Sequence, residues 1–167
     1  MKKDRFEDIY EEHAGPLLAF LVYRTGDRSL AEEVLADTFE RVLTSRARFD
    51  RRRGSEKTWV YSIALNRLRD LLRRRDAERR AYERTAEGAE SGTADVDRVD
   101  DRTTVAAALR HLDESEREAV ALRYGADLTV PEVARVLGVK VSTAEGRIYR
   151  GLRRMREVLE ESPADRR

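Results

Sequence analysis

Arginines at helical spacing near the C-terminus are the residues best suited to contact a polyanion. Arg147, Arg150 and Arg154 recur at intervals of three and four residues, which places them on one face of a helix. Apolar residues recur on another face: Ala144, Ile148, Leu152, Met155 and Leu159. Such a helix can enter a major groove, where its first turns contact base edges and later arginines contact phosphates. The pattern predicts a DNA-reading helix; a helical hairpin with a solvated basic face is the alternative.

The residues before this helix predict its partner. Thr129 and Glu132 have the spacing of a capping box that begins a short helix. Gly138 suits the left-handed conformation that ends a helix. Ser142 and Glu145 have the spacing of a second capping box a few residues later. Two caps this close together force a sharp corner, so the segment predicts a helix-turn-helix.

The composition narrows the fold and the function. The 167 residues are 40% hydrophobic and 40% charged, with three prolines, and no strand-like alternation is evident. These features predict an all-α protein. With no cysteine and only His13 and His111, we expect no disulfide, no metal, no cofactor and no catalytic residue. There is no signal-peptide pattern and no long apolar run, which predicts a cytoplasmic protein without membrane insertion.

Charge divides the chain into three parts. Residues 1–75 carry 17 basic and 13 acidic groups (net +4), residues 76–104 carry 5 and 9 (net −4), and residues 105–167 carry 12 and 11 (net +1). The middle part lacks a sustained apolar face, which is typical of a flexible linker, although its first turns can be helical. We therefore predict two small helical domains, 1–75 and 105–167, joined by a flexible acidic linker, 76–104. The second domain is predicted to be a four-helix module that contains the helix-turn-helix.

Amphipathic periodicity predicts three helices in the first domain, over residues 6–24, 30–45 and 57–75. Gly26 and Asp27 are predicted to form the turn between the first two. Ser29 and Glu32 have the spacing of a capping box at the start of the second helix.

Three stretches together resemble a known family. They are AEEVLADTFERV (31–42), WVYSIALNRLRDLLRRR (59–75) and LDESEREAVALRYGADLTVPEVARVLGV (112–139). In this order they resemble the extracytoplasmic-function group of bacterial RNA polymerase sigma factors. The resemblance implies a first domain that binds the polymerase clamp and melts the −10 element, and a second that reads the −35 element. It also implies core RNA polymerase (clamp and flap) and promoter DNA as partners, an anti-sigma factor, and a monomer when free of partners.

The resemblance assigns the polymerase contact to the second helix. Its candidate residues are Glu33, Asp37, Phe39, Glu40 and Arg41. The chain departs from the family pattern at Ala36, where a glutamine is usual, and at Leu43, where a tryptophan is frequent. Phe39 is better explained as a core residue, whereas Glu33, Asp37, Glu40 and Arg41 are the better surface candidates.

The resemblance assigns −10 recognition to the loop before Trp59 and to the helix that follows. An extruded base needs polar and stacking groups, and the flanking phosphates need cations. The candidates are Arg51, Arg52, Arg53, Lys57, Trp59, Asn66, Asp70, Arg73 and Arg74. Trp59 could instead belong to the core, and the arginines that end the helix could be solvated and complement the helix dipole.

The −35 candidates surround the start of the last helix: Lys140, Thr143, Glu145, Arg147, Arg150 and Arg154. Arg147 is the predicted base contact, because an arginine can bind guanine O6 and N7 together. Glu145 could accept a hydrogen bond from cytosine N4, or serve only as the cap partner of Ser142.

Two other classes of protein compete with this interpretation. A freestanding helix-turn-helix regulator would use the same DNA-reading helix, but such proteins usually dimerise, and no heptad repeat is evident. An all-helical nucleic-acid enzyme would need carboxylate pairs or metal ligands in a defined pocket, whereas the acids here fall on caps, helix faces and the linker.

Overall fold

The computed structural model describes residues 3–45, 48–85 and 104–161, and within these ranges the chain is almost entirely helical. The order is α1 (Lys3–Thr25), α2 (Arg28–Ser45), a 3₁₀ turn (Arg51–Arg53), α3 (Glu56–Thr85), α4 (Thr104–Arg110), α5 (Glu114–Val120), a π-helical turn (Ala121–Gly125), α6 (Val130–Leu137) and α7 (Val141–Glu161). The all-α prediction and the four helices of the C-terminal module are confirmed. None of the described helices combines the length and hydrophobicity of a transmembrane span.

Helices α1, α2 and α3 form the N-terminal module around the predicted apolar stripes. The stripes supply fully buried residues from each helix: Ile9, Leu17, Leu21, Ala31, Val34, Val42, Val60 and Leu68. Tyr10 of α1 lies outside this core, because its side chain is 47% exposed. It covers the edge of the bundle, where its ring centroid lies 4.8 Å from that of Phe39.

The start of α2 differs from the prediction. The helix begins at Arg28, so Ser29 already lies in the first turn and is exposed. Asp27 is the cap: the backbone N–H of Leu30 donates to its Oδ1 at 3.0 Å. Glu32 pairs instead with Arg28 at 3.1 Å. The predicted box of Ser29 and Glu32 was therefore wrong, because an aspartate two residues earlier already satisfies the free N–H.

The helix-turn-helix follows the prediction at its first helix. Thr129 and Glu132 form a complete capping box, and Gly138 ends α6 with φ 67°. The second predicted box was wrong. Helix α7 begins at Val141, and the N–H of Ala144 donates to the carbonyl of Lys140 at 3.0 Å, so Ser142 lies inside the first turn.

Helix α3 continues through Thr85, ten residues beyond the predicted domain boundary at residue 75. Residues 76–85, predicted as the beginning of the linker, are therefore helical, as the sequence allowed for its first turns. They are exposed, so local effects stabilise them: Ala, Arg and Glu are strong helix formers, and Asp76 pairs with Arg79 at 3.5 Å. Residues 86–103 of the predicted linker lie outside the described residues.

The two modules pack against each other. One buried hydrophobic cluster continues from α1, α2 and α3 into α5, α6 and α7, and α6 lies against α3. A smaller cluster, formed by Ala108, Leu109, Leu112, Val120 and Met155, fixes α4 within the C-terminal module. The predicted modules are thus in direct contact, and this contact limits which surfaces of each module are exposed.

Candidate polymerase and nucleic-acid interfaces

A polar groove between α2 and α3 combines residues from two predicted sites. Its lining is Asp37, Glu40, Arg41, Thr44, Ile63, Asn66, Arg67 and Asp70. At its centre Arg67 Nε donates to Asp37 Oδ2 at 2.7 Å. This hydrogen bond raises the pKa of Arg67 above its ordinary value. The structure therefore places the candidate clamp contacts beside Asn66 and Asp70, which were assigned to the −10 element.

The other candidate clamp residues differ in exposure. Glu33 and Arg41 are exposed on α2, and Glu33 Oε2 lies 3.8 Å from Arg75 Nη2. Phe39 is only 5% exposed and packs edge to face against Phe6, at 6.4 Å between ring centroids. Phe39 therefore occupies a core position and supports the exposed face of α2 indirectly. Leu43 is exposed, so an apolar side chain does occupy the surface where the family often has tryptophan.

The loop before α3, residues 49–55, presents cations beside an aromatic pair. Asp50 orders it, because the N–H of Arg52 donates to Asp50 Oδ1 at 2.9 Å. All three arginines of the turn, Arg51–Arg53, are exposed. The rings of Phe49 and Trp59 lie 5.1 Å apart at an interplanar angle of 38°, and Trp59 is half-buried. The loop can thus offer positive charge and a partly accessible aromatic surface.

The −10 candidates occupy separate surfaces in this arrangement. Lys57 lies at the start of α3, with its Nζ 6.0 Å from the ring centroid of Tyr61. Asn66 and Asp70 line the groove between α2 and α3, several turns further along. Arg73 and Arg74 follow as exposed residues, and Arg73 pairs with Asp70 at 3.3 Å. The loop and Lys57 form one basic surface; the others extend along α3.

The helix-turn-helix lies directly on this loop, which the sequence did not reveal. Gly54, with φ 152°, approaches both α3 and α6: a Cβ there would lie 2.7 Å from Thr58 Oγ1 and 3.0 Å from Arg135 Cδ. Arg135 projects from α6, the first helix of the DNA-reading motif. It follows that the −35 module covers part of the loop assigned to the −10 element.

The −35 candidates lie along the start and the outer face of α7. Lys140, Thr143 and Glu145 are exposed, and Arg147 is half-buried. Since α7 begins before Ser142, a role for Glu145 as the cap partner of Ser142 has no support.

The later arginines of this face meet a buried acid on α5. Arg150 Nε lies 4.0 Å from Glu116 Oε1, and Arg154 Nη1 lies 3.4 Å from Glu116 Oε2. That Oε2 makes no hydrogen bond within the described residues, and the two arginines together compensate the charge of Glu116. Both arginines remain exposed, so phosphate contact stays open to them.

Ion pairs across the module boundary are further residues that sequence reasoning missed. Arg69 of α3 hydrogen-bonds the buried Glu118 of α5, and this contact raises the pKa of Arg69. Arg24 of α1, also buried, pairs with Glu114. Charged residues on amphipathic helices are ordinarily solvated, and no local spacing reveals a partner 49 positions away.

Family comparison supports both modules. Sigma-70 region 2 matches residues 9–78, and Sigma-70 region 4 matches residues 102–155. The RNA polymerase sigma factor CarQ of Myxococcus xanthus is 32% identical over 163 residues, covering 95% of this chain and 91% of CarQ. The chain belongs to the extracytoplasmic-function RNA polymerase sigma factors. The family member SigX of Bacillus subtilis is 27% identical, over 95% of this sigma factor and 85% of SigX.

Solved structures share the fold of this sigma factor. RpoE of Bartonella quintana, in complex with the anti-sigma factor NepR, matches with a TM-score of 0.77 at 21% identity, over 95% of this chain and 98% of that one. CnrH, in complex with the cytosolic domain of CnrY, matches with a TM-score of 0.71 at 26% identity, over 96% and 92% of the two chains. The family matches make the N-terminal module a region 2 and the C-terminal module a region 4, and with the related sequences they make the protein a promoter-recognising sigma factor rather than a freestanding regulator.

Proposed function

We propose that this sigma factor binds core RNA polymerase mainly through the α2 face that borders the polar groove. The observation that carries this proposal is the clustering of Asp37, Glu40 and Arg41 on one side of that groove, with Glu33 exposed one turn earlier. Phe39 contributes by fixing α2 in the core rather than by touching polymerase. The protein acts as an initiation factor without an active site of its own, in the cytoplasm.

Promoter contacts divide between the modules. The basic loop with Arg51, Arg52 and Arg53 holds the displaced −10 strand, and Trp59 stacks at its edge. Helix α7 enters the major groove at the −35 element, with Arg147 reading a base. The exposed cations of the loop and the half-buried position of Arg147 near the start of α7 support this division.

The modules must separate for both elements to be bound. In the closed arrangement α6 covers the loop at Gly54, and Arg69 holds Glu118 across the boundary. We infer that joining polymerase favours an open arrangement, which pulls region 4 off the −10 loop. Free protein would then bind promoter DNA poorly, because one of its readers is partly covered.

An anti-sigma factor is the further partner we propose. The support is that RpoE, which has the same fold, was solved with the anti-sigma factor NepR. Such a partner would keep the modules closed. Without partners we expect a monomer.

The deciding experiment is the affinity of fluorescently labelled protein for core RNA polymerase. The test variant carries Glu33→Lys, Asp37→Lys and Arg41→Glu. The control carries Glu7→Lys, Glu11→Lys and Arg80→Glu, an equal change in charge at exposed positions on α1 and α3. Binding lost in the first variant and kept in the second, with unchanged helical circular dichroism, supports the proposal. If the test variant bound core polymerase as tightly as the control variant, the polymerase contact would lie elsewhere on the molecule.

A further inference from the structure

One ring nitrogen of a buried histidine on α1 has no hydrogen-bond partner among the described residues. His13 is only 6% exposed, and its Nε2 makes no hydrogen bond within the described residues. A ring nitrogen withdrawn from water without a partner is costly, and most buried polar atoms have one. His13 is therefore an unexplained feature of region 2, and neither the polymerase groove nor the basic loop involves it.

Two carboxylates flank this nitrogen. Glu12 Oε2 lies 3.9 Å from His13 Nε2, and Glu56 Oε1 lies 3.8 Å from it. One donor atom from each of the three residues falls within 4.8 Å of the others, and within the described ranges this is the one such group found. Glu12 belongs to α1 and Glu56 is the first residue of α3, so the cluster joins two helices.

We propose that Glu12, His13 and Glu56 bind a divalent transition-metal cation such as Zn²⁺. One imidazole nitrogen with two carboxylate oxygens is a donor set that suits Zn²⁺, Co²⁺ or Ni²⁺ better than Ca²⁺. Two carboxylates also balance the charge of the ion. Three protein ligands leave one position of a tetrahedral ion for water or another ligand.

The geometry requires the carboxylates to close around the site, because the three donor atoms lie within 4.8 Å of one another rather than at the spacing of bound ligands. Zn²⁺ ligands at about 2.1 Å from the metal are separated by roughly 3.4 Å in a tetrahedron. The two nitrogen-to-oxygen distances of 3.9 and 3.8 Å must therefore shorten by about half an ångström. Glu12 is free to make this change, since its side chain is 71% exposed.

The arginine that pairs with Glu56 leaves one oxygen of that carboxylate to a metal. Arg5 Nη2 lies 3.5 Å from Glu56 Oε2, whereas the oxygen that faces His13 is Oε1. The same carboxylate can thus keep Arg5 and offer its other oxygen.

A protonated His13 between the two glutamates is the competing explanation. At 3.8 and 3.9 Å, however, neither contact is a hydrogen bond. A hydrogen bond would need a similar inward movement of one carboxylate and would leave the other without a role, whereas a metal uses both. Added metal distinguishes the two explanations, because the metal site binds it and a plain ion pair does not.

A bound ion would stiffen the entry to the basic loop. Glu56 follows Ser55, and Ser55 Oγ accepts from the N–H of Thr58 at 3.2 Å as α3 begins. Anchoring Glu56 to α1 would fix this end of residues 49–55, which hold the exposed arginines. The site stands independently of the promoter contacts proposed above, because it rests on His13 and its neighbours alone.

The test is Zn²⁺ binding to full-length, tag-free protein, measured by isothermal titration calorimetry and by the imidazole NMR signals of the two histidines. The first variant is His13→Gln. The matched control is His111→Gln, which alters an exposed histidine in the other module. We expect one site in the wild type, an affinity at least about tenfold lower in His13→Gln, and no change in His111→Gln. Glu56→Gln should weaken binding as well.

The NMR signals keep the test decisive even if His13→Gln proves unstable. Zn²⁺ should then shift the His13 signals of the wild type and leave those of His111 in place. Affinity equal in both histidine variants, or Zn²⁺ shifts confined to His111, would overturn the proposal. His13 signals that titrate with pH and ignore Zn²⁺ would equally overturn it and identify a plain ion pair.

Discussion

Arg69 donates two hydrogen bonds to the carboxylate of Glu118, from Nε to Oε1 at 3.1 Å and from Nη2 to Oε2 at 2.7 Å. The arginine belongs to region 2 and the glutamate to region 4. The Glu118 side chain is 4% exposed and that of Arg69 is 32% exposed. A buried carboxylate that loses its partner is strongly destabilising, so this pair couples the folding of α5 to the contact between modules.

A double-mutant cycle on this pair tests that coupling. Arg69→Ala, Glu118→Ala and the double variant should give a coupling energy of about 1.5–3 kcal/mol in denaturant unfolding, the range for hydrogen bonds to charged groups. Arg69→Ala should also increase the radius of gyration in X-ray scattering, because opening returns Glu118 to water. Arg73→Ala, which alters an exposed pair on the same helix, is the control. A coupling near zero would mean that the pair does not hold the modules together.

Gly151 allows α7 to approach α5 closely. A Cβ at this position would lie 2.6 Å from Val120 Cγ2 and 3.5 Å from the Glu116 carbonyl oxygen. Gly151→Ala should therefore destabilise region 4 by about 1–3 kcal/mol through overpacking, measured as the denaturation midpoint of the full chain.

The matched control is Gly146→Ala on the same helix. Its added Cβ would meet only the end of the Arg150 side chain, with Nη1 at 3.0 Å, which can move aside. Alanine should then stabilise the helix by up to about 1 kcal/mol. Equal changes in stability at the two positions would show that close packing against α5 is not the reason for a glycine at position 151.

The burial of Tyr61 predicts that the folded protein loses stability in strong alkali. Its side chain packs against Phe20, and burial raises the pKa of its hydroxyl from 10.0 to about 12. Because the folded pKa is the higher one, this stabilisation is complete below pH 10 and is lost as the pH rises toward 12.

Absorbance titration at alkaline pH should therefore show an ionisation near 12 that Tyr61→Phe lacks. The free energy of unfolding of Tyr61→Phe should also fall less steeply above pH 10 than that of the wild type. Identical alkaline curves for the two proteins would contradict the burial of this hydroxyl.

Local signals in the sequence predicted where helices lie more accurately than they predicted the residue at which each helix starts. Thr129 and Glu132 define α6 because a capping box needs only four consecutive residues. The same pattern misled at Ser29, since Asp27 competes for the role and prevails. Spacing alone does not rank two candidate caps that lie two residues apart, and here Asp27, which directly follows the left-handed Gly26 (φ 65°), is the one that caps.

The contact between modules could not be predicted, because it joins residues that are distant along the chain. Arg135 and Gly54 meet in the fold, yet each looks ordinary in its own segment. Arg117 was missed for a different reason, because its partners are backbone atoms within its own module: its guanidinium donates to the carbonyls of Leu109, Arg110 and Leu112 at 2.9, 3.1 and 2.8 Å, and its burial lowers its pKa. A family resemblance supplies the order of the modules, whereas these contacts depend on this chain's own packing.

The positions of Arg147 and Arg154 on α7 predict different contributions to DNA binding. Arg147 is half-buried near the helix start, whereas Arg154 lies two turns later, exposed and paired with Glu116. In holoenzyme binding to −35 duplexes, Arg147→Ala should lower discrimination at one base pair by about 1–3 kcal/mol. Arg154→Ala should weaken all sequences alike and reduce the slope of affinity against salt by about 1.

Arg156→Ala is the control for both variants, because nine residues after Arg147 place it about half a turn around α7, on the opposite face. It should leave both discrimination and salt slope unchanged. If Arg147→Ala weakened every duplex equally, Arg147 would be a phosphate contact, and the base reading would have to come from Lys140, Thr143 or Glu145, the exposed residues at the helix start. Glu145→Ala then distinguishes Glu145 from Lys140 and Thr143. If the Glu145 carboxylate accepts from cytosine N4, this variant loses sequence preference only at that base.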